Sequence, residues 1–155
     1  MNLSFCPETE ADIPTLLRFY ADSRAEELSV VPWTDEQKAM FLEQQFMAQR
    51  SHYYTHYQGA AFDLILLDGL PVGRWYVHRS SELRLMDVIV TPEFQQRGIA
   101  SWCFTQLITE SRDSQKPITL HVESNNHARA WYTRLGFAEL PDEATGVYIK
   151  MRREP

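Results

Sequence analysis

A short glycine-bearing turn, Gln95-Gln96-Arg97-Gly98-Ile99-Ala100, constrains this chain more than any other stretch. A strand-like hydrophobic segment, Leu83 to Val90, precedes the turn, and a helix-like segment from Ile99 to about Glu110 follows it. The first turn of a helix has unpaired N–H groups and carries partial positive charge. Gly98 lets the backbone approach a bulky anion with no Cβ in the way. The order of strand, turn and helix therefore predicts a backbone site for a phosphate-bearing cofactor.

The composition is that of one globular domain, which we expect to span residues 1–155. No segment approaches the roughly 20 apolar residues needed to cross a bilayer, and the N-terminus lacks the features of a signal peptide. Two cysteines, Cys6 and Cys103, argue against a disulfide framework and favour a cytoplasmic location. The net charge of −6 argues against a nucleic-acid partner and weakly favours a cationic substrate.

Two helices are predicted in the first 60 residues, after a short strand from Leu3 to Cys6. The first helix has Asp12 as its expected N-cap and Pro14 in its first turn. Its inward face is predicted to carry Ile13, Leu16, Leu17 and Tyr20. Thr34 and Gln37 have the spacing of a capping box that starts the second helix. That helix is expected to bury Ala39, Met40, Leu42, Phe46 and Met47.

The second part of the chain is predicted to consist mainly of strands. A hairpin is expected around the turn Asp68-Gly69-Leu70-Pro71. The Asn125-Asn126 pair is expected to cap a helix that ends at Gly136. That helix has an apolar face made of Ala128, Trp131, Tyr132 and Leu135. The predicted strands are Phe62–Leu67, Val72–His78, Leu83–Val90, Ile118–Val122, Phe137–Leu140 and Val147–Met151.

Two motifs make this sequence resemble the GNAT superfamily of acyl-CoA-dependent N-acetyltransferases. The family pattern Q/R-x-x-G-x-G/A matches Gln95 through Ala100. The second family pattern, N-x-x-A-x-x-x-Y-x-x-x-G-F, matches Asn125, Ala128, Tyr132, Gly136 and Phe137. The resemblance implies the GNAT fold, an α/β fold of the α+β type. Its mixed, mainly antiparallel central sheet would have six to seven strands, flanked by about four helices.

The resemblance also implies the reaction and the way in which its cosubstrate is held. The acetyl group of acetyl-CoA would pass directly to a primary amine in a ternary complex, with no metal. The coenzyme A pyrophosphate would lie on the turn, and its extended arm would lie along Val88–Val90. A backbone N–H near Ile89 would stabilise the oxyanion. The expected cofactor-binding residues are Val88, Ile89, Val90, Gln95, Gln96, Arg97, Gly98, Ile99, Ala100, Ser101 and Asn125.

The first motif departs from the commonest family pattern at two positions. Gln95 stands where many relatives have Arg, and Ala100 stands where many have Gly. Ala100 should still allow close approach. Loss of the Arg removes a cation near the phosphates, and Arg97 is the nearest replacement in the sequence.

Tyr132 is the predicted general acid, because a positioned phenol can protonate the departing thiolate. Periodicity alone would make Tyr132 a core aromatic, and the two family patterns favour the catalytic role. The attacking amine must also lose a proton, but the sequence does not identify a base. The carboxylates considered are Asp87, Glu123, Glu26 and Glu27, and each is more often solvated or structural in such positions.

Other sequence features favour packing or surface roles. His52 and His56 lie four residues apart but lack the acidic partner of a H-E-x-x-H metal site. Cys103 falls on the buried face of its helix and is interpreted as a packing residue. An aromatic-rich zone could be core or the wall of a substrate pocket. This zone comprises Trp33, Tyr53, Tyr54 and Tyr57.

The sequence leaves the acceptor and two alternative functions open. The acceptor could be a small polyamine, an amino acid, an aminoglycoside-like drug, or a protein N-terminus or lysine. Its contacts are expected from residues 20–60 and the loops. One alternative function is a non-catalytic CoA-binding sensor or interaction module, and another is transfer of a different acyl group. No membrane partner is expected, and a homodimer is common among relatives.

Overall fold

A computed structural model describes residues 1–141 and 146–155 of the chain. Seven strands and four α-helices lie within these residues. In chain order they are β1 (Leu3–Pro7), α1 (Ile13–Ser29), α2 (Asp35–His56), β2 (Ala61–Leu67), β3 (Leu70–Arg79), β4 (Leu83–Val90), α3 (Ile99–Ser114), β5 (Ile118–Glu123), α4 (Ala128–Arg134), β6 (Ala138–Leu140) and β7 (Tyr148–Arg153).

The seven strands form one sheet in the order β1-β2-β3-β4-β5-β7-β6. The pairs β1–β2, β5–β7 and β6–β7 are antiparallel. The pair β4–β5 is parallel, with Leu83 opposite Ile118 and Arg84 opposite Thr119. The prediction of a mixed, mainly antiparallel sheet with about four helices is therefore confirmed.

The chain forms two compact units, and β3 and β4 contribute residues to both. The first unit contains Met1–Tyr76 and Asp87–Ala100. The second contains Val77–Met86 and Ser101–Pro155. The single domain expected over residues 1–155 stays a prediction.

The core of the first unit is built where α1 and α2 contribute large apolar side chains. Its buried members are Leu16, Phe19, Tyr20, Phe46, Leu64 and Ile89. Ile13 and Leu17 pack against this core, so the predicted inward face of α1 is confirmed. Burial of these side chains is the main source of this unit's stability, at roughly 25 cal/mol per Å² of apolar surface.

Two details of the helices differ from the sequence prediction. The Asp12 carboxylate accepts hydrogen bonds from the N–H and hydroxyl of Thr9, at 2.8 and 3.3 Å, instead of capping α1. These bonds start a short 3-10 turn that leads into the helix. In α2, Ala39 is exposed and Met40 and Met47 are 64% and 47% exposed, so their predicted burial was wrong. A 22-residue helix that lies on a surface turns most of its residues to solvent, and here Phe46 is the one fully buried.

Local sequence chemistry fixes several element ends as predicted. The Thr34 hydroxyl accepts from the Gln37 N–H at 3.1 Å, and the Gln37 side chain accepts from the Thr34 N–H at 2.9 Å. Asp68 and Gly69 both have positive φ, as the two-residue turn between β2 and β3 requires. This turn is shorter than the predicted Asp68-Gly69-Leu70-Pro71, because β3 already begins at Leu70.

The second unit packs its aromatic side chains around Phe104 of α3. The Phe104 ring lies 5.0 Å from Trp131, 5.6 Å from Tyr132 and 6.1 Å from Phe137, measured between ring centroids. Gly136 has φ +99°, which is the left-handed conformation predicted for the end of α4. The aromatic cluster therefore joins α3 to α4 inside this unit.

Gly73 marks the closest approach of two strands in the first unit. A Cβ added at Gly73 would lie 2.0 Å from the Ile89 carbonyl oxygen, a distance that real Cβ atoms do not show. The backbones of β3 and β4 approach each other here only because this residue has no side chain. Gly73 thus fixes the position of the Ile89 backbone.

We expect Gly73→Ala to destabilise the protein by about 3 kcal/mol, because the added methyl must displace the Ile89 backbone. Gly69→Ala is the control, since a Cβ there meets nothing within 4 Å and the cost is limited to left-handed strain of about 1 to 2 kcal/mol. Urea unfolding of both variants measures the difference. An equal or smaller loss in Gly73→Ala would contradict the steric argument.

Candidate functional site

The turn between β4 and α3 holds an unusual backbone conformation. A short 3-10 helix at Pro92–Phe94 follows β4, and α3 begins at Ile99. Between them, Gln96 has φ +62° and Gly98 has φ +81°. A non-glycine residue in this region costs roughly 1 to 2 kcal/mol, and such conformations cluster at ligand-binding turns.

The predicted residues of this turn divide into exposed and buried members. Gln96, Arg97 and Gly98 are exposed, whereas the Ile99 side chain is buried and anchors the start of α3. The Arg97 guanidinium lies 5.0 Å from the Phe94 ring centroid, which holds a positive charge close to the turn. No atom of the described protein other than its chain neighbours lies within 4 Å of a Cβ added at Gly98. The outer side of this turn is thus open to a bulky group.

A cleft of about 240 Å³ lies beside the end of β4 in the first unit. Its lining residues are Asp22, Ser23, Val88, Ile89, Val90, Pro92 and Gln95. The structure therefore brings together Val88, Ile89, Val90 and Gln95 from the predicted cofactor set. The Gln95 side-chain amide donates a hydrogen bond to the Val90 carbonyl at 2.9 Å, which ties the turn back to β4.

Asp22 and Ser23 of α1 lie within residues 20–60, the range expected to contact the acceptor, but the sequence did not single them out. The Thr91 hydroxyl donates to Asp22 Oδ2 at 3.4 Å, and the Thr91 N–H donates to the Val72 carbonyl at 2.9 Å. Thr91 is 5% exposed, so its hydroxyl is held in place by packing. Helical periodicity identifies the inward face of α1 but carries no signal for a residue that borders a cleft.

A buried ion pair lies beside this segment. Arg74 of β3 is 2% exposed, and its guanidinium binds the carboxylate of Asp87, the residue before Val88. Arg74 also donates to Gln49 Oε1 at 2.8 Å and lies 4.9 Å from the Tyr76 ring centroid. Burial alone would lower the pKa of Arg74, but attraction to Asp87 and the nearby tyrosines raises it. Asp87 thus balances a buried charge, the structural role considered for it.

The aromatic zone of α2 packs rather than forming a wide pocket. Tyr54 stacks on Phe62 at 4.2 Å, and Tyr53 meets Tyr76 edge to face at 6.0 Å. The cavity beside these rings measures about 10 Å³, which is room for about one water molecule. Burial is the main cause that raises the pKa of Tyr76 above its usual range.

Ala100 is half-buried in the first unit, and the other predicted site residues belong to the second unit. Tyr132 is 9% exposed on α4, and its ring packs against Phe104 and Phe137. Ser101 and Asn125 are exposed. The Asn126 side chain, next to Asn125, accepts from the Ala128 N–H at 2.8 Å and so helps to start α4.

The other candidates from the sequence have surface or packing positions. His52 and His56 stack at 4.3 Å on the exposed face of α2. Over residues 1–141 and 146–155, no group of three or more His, Cys, Asp or Glu side chains could hold a metal ion. Burial raises the pKa of the Cys103 thiol to about 12, which agrees with its interpretation as a packing residue.

The candidate bases other than Asp87 lie on the surface. Glu26, Glu27 and Glu123 are exposed, and Glu27 pairs with Arg24.

None of the helices in the described part of the chain is long and apolar enough to span a membrane.

Comparison with known proteins identifies the family to which this chain belongs. The sequence model described as "Acetyltransferase (GNAT) domain" matches residues 29–152. No curated protein matches the chain. The chain belongs to the GNAT acetyltransferase family and is an acyltransferase by that membership.

Solved structures show the same fold. The PaiA N-acetyltransferase from Thermoplasma acidophilum, solved with coenzyme A, has a TM-score of 0.74 at 13% identity, with 100% of both chains covered. An acetyltransferase from Thermus thermophilus has a TM-score of 0.71 at 18% identity, covering 100% of this chain and 98% of that one. The ribosomal-protein-S18-alanine N-acetyltransferase from Escherichia coli has a TM-score of 0.62 at 19% identity, covering 99% and 94%.

We expect Asp87→Asn to cost about 3 to 5 kcal/mol of stability, because it leaves the buried Arg74 charge without its partner. The double variant Arg74→Met/Asp87→Leu should recover most of this loss, since it removes both charges. Glu110→Gln breaks the exposed Arg79–Glu110 pair and should cost less than about 1 kcal/mol. Denaturant unfolding measures all three, and a loss no larger in Asp87→Asn than in Glu110→Gln would contradict a structural role for this pair.

Proposed function

We propose that this protein is an N-acetyltransferase that moves the acetyl group of acetyl-CoA to a primary amine. The amine would lose its ammonium proton to solvent and attack the thioester carbon directly in a ternary complex, with no covalent enzyme intermediate. The C–N bond forms, the C–S bond breaks, and the departing thiolate takes a proton while the amide nitrogen releases one. The observation that carries the proposal is the turn at Gln96–Gly98, placed between β4 and α3 in a chain of the GNAT family. The PaiA N-acetyltransferase, which shares the fold, was solved with coenzyme A.

The residues of the turn fit the pyrophosphate of coenzyme A. The backbone at Gln96, Arg97 and Gly98 is exposed, and the left-handed residues open its outer side. Consecutive N–H groups at a helix start bind anions well, and the Arg97 guanidinium adds positive charge. When bound, acetyl-CoA would supply a thioester whose carbonyl carbon can be attacked by an amine.

The segment Val88–Val90 is the proposed seat of the extended arm. This segment lines the cleft together with Gln95. The close approach of Gly73 fixes the position of the Ile89 backbone in the middle of the segment. A fixed backbone costs little reorganisation when charge develops on a nearby oxygen. We therefore assign the oxyanion donor to a backbone N–H near Ile89.

Tyr132 is the proposed general acid. Its ring is held by Phe104 and Phe137, which restricts the phenol to few orientations. A restricted phenol can give its proton to the departing sulfur with little loss of entropy. Packing and catalysis are compatible here, because the ring supplies the first and the hydroxyl the second.

We expect Gly98→Ala to weaken coenzyme A binding at least about tenfold, because the added methyl projects from the turn proposed to hold the pyrophosphate. Gly69→Ala is a closely matched control. Gly69 has φ +82° against +81° at Gly98, and a Cβ at either position meets nothing within 4 Å. Both variants therefore carry the same backbone strain.

Titration calorimetry with coenzyme A measures the affinity of both variants and of the unchanged protein. Equal affinities in the two variants would show that the Gly98 turn is not the pyrophosphate site. No heat of binding in the unchanged protein would overturn the proposed function itself.

We expect the unchanged protein to release thiol from acetyl-CoA with at least one amine of a broad library. Tyr132→Phe should lower the maximal rate of this thiol release about 100-fold or more, because the general acid is lost. The substitution keeps the ring that packs on Phe104. Tyr148→Phe, in the same unit and 46% exposed, is the matched control and should keep its rate.

The rates are compared across the pH range with the amine that turns over best. An unchanged maximal rate in Tyr132→Phe at every pH would exclude the acid role. Binding of coenzyme A without thiol release by any amine would instead indicate a sensor or interaction module.

A further inference from the structure

The carboxylate of Asp22 borders the cleft of the first unit. It lies on α1 and shares the cleft with Val88, Ile89 and Val90. Among the described residues, Asp22 makes no ion pair, and its hydrogen bond comes from Thr91 at Oδ2. On α1, Arg24 binds Glu27, and Arg18, four residues before Asp22, lies 5.4 Å from the Phe19 ring centroid. Asp22 is thus a negative charge at the cleft that no other described residue balances by an ion pair.

We infer that Asp22 is the residue that binds the positively charged acceptor. This inference rests on the proposed function, because it assigns the ammonium of an alkyl amine to the cleft beside the Val88–Val90 segment. Thr91 holds Oδ2, so Oδ1 is the oxygen that receives the ammonium N–H. A charge-assisted hydrogen bond of this kind is stronger than one between neutral groups.

The residues that line the cleft define the class of acceptor. They come from two elements, Asp22 and Ser23 from α1 and Val88, Ile89 and Val90 from β4. The β4 residues are the proposed seat of the cosubstrate arm, so we assign the acceptor to the α1 residues, where one carboxylate contacts one ammonium group. We therefore assign a small aliphatic amine, or the aminoalkyl end of a larger molecule, in preference to a neutral or anionic acceptor.

The role assigned to Asp22 is acceptor binding, which is distinct from the acid role of Tyr132. Asp22 is exposed at the surface of α1, where a bound amine can reach it from solvent. Asp22→Asn removes the charge but keeps an oxygen that can accept the Thr91 hydrogen bond. Its effect therefore reports the charge rather than a change of packing.

The test is a direct binding titration of the unchanged protein with butylammonium chloride, followed by amide NMR at fixed low ionic strength. We expect shifts at Asp22, Ser23 and Val90, and about tenfold weaker binding in Asp22→Asn. Glu26→Gln is the matched control, since Glu26 is an exposed carboxylate one turn further along α1. Each variant removes one negative charge from a chain of net charge −6, and Glu26→Gln should bind as the unchanged protein does. 1-Butanol, a neutral analogue, should bind equally weakly to all three.

Three results would overturn the assignment: equal affinity in Asp22→Asn and the unchanged protein, shifts confined to other residues, or no binding at all. The test is independent of the cosubstrate, because no acetyl-CoA is present. Calorimetry with coenzyme A on the same samples tests the proposed function separately. Loss of coenzyme A binding with retained Asp22-dependent amine binding would remove the proposed function and leave the amine site. The opposite pattern would remove the amine site alone.

Discussion

The close approach of Gly73 to the Ile89 carbonyl is the constraint on which the candidate site depends. The segment from Asp87 to Thr91 contains Ile89, and it also contacts β3 at each of its two ends. Asp87 binds Arg74 at one end, and the Thr91 N–H binds the Val72 carbonyl at the other. One contact is steric, one is electrostatic and one is a backbone hydrogen bond. Together they hold in place the strand segment that borders the cleft.

The same segment contributes both to the stability of the core and to the proposed site. A buried arginine requires a counter-charge, and Asp87 supplies it beside the residues proposed to seat the cosubstrate. A carboxylate engaged in this way has its position fixed by the core. The carboxylate that lines the cleft is instead that of Asp22 from α1, which makes no ion pair with any other described residue. The protein thus separates the carboxylate that balances its core from the carboxylate proposed to meet a ligand.

The sequence predicted the features that depend on residues close together along the chain. The Thr34–Gln37 capping box, the Asp68–Gly69 turn and the end of α4 at Gly136 were predicted because their chemistry is local. Met40 and Met47 were misplaced because α2 buries a narrower face than its apolar residues suggest. A glycine inside a strand and an arginine within a buried run were visible signals for Gly73 and Arg74. Asp22 gave no such signal, because its role depends on a strand distant in sequence.

The two cysteines differ in their surroundings, and this difference affects how turnover can be measured. Cys6 is exposed, whereas Cys103 is buried in α3 with a pKa raised to about 12. A chromogenic disulfide reagent that detects liberated coenzyme A will therefore also react promptly with one sulfur per chain. The second sulfur becomes reactive when α3 is exposed to solvent. The same absorbance trace would record both the chemistry and the integrity of the fold, and replacing Cys6 by serine would separate the two contributions.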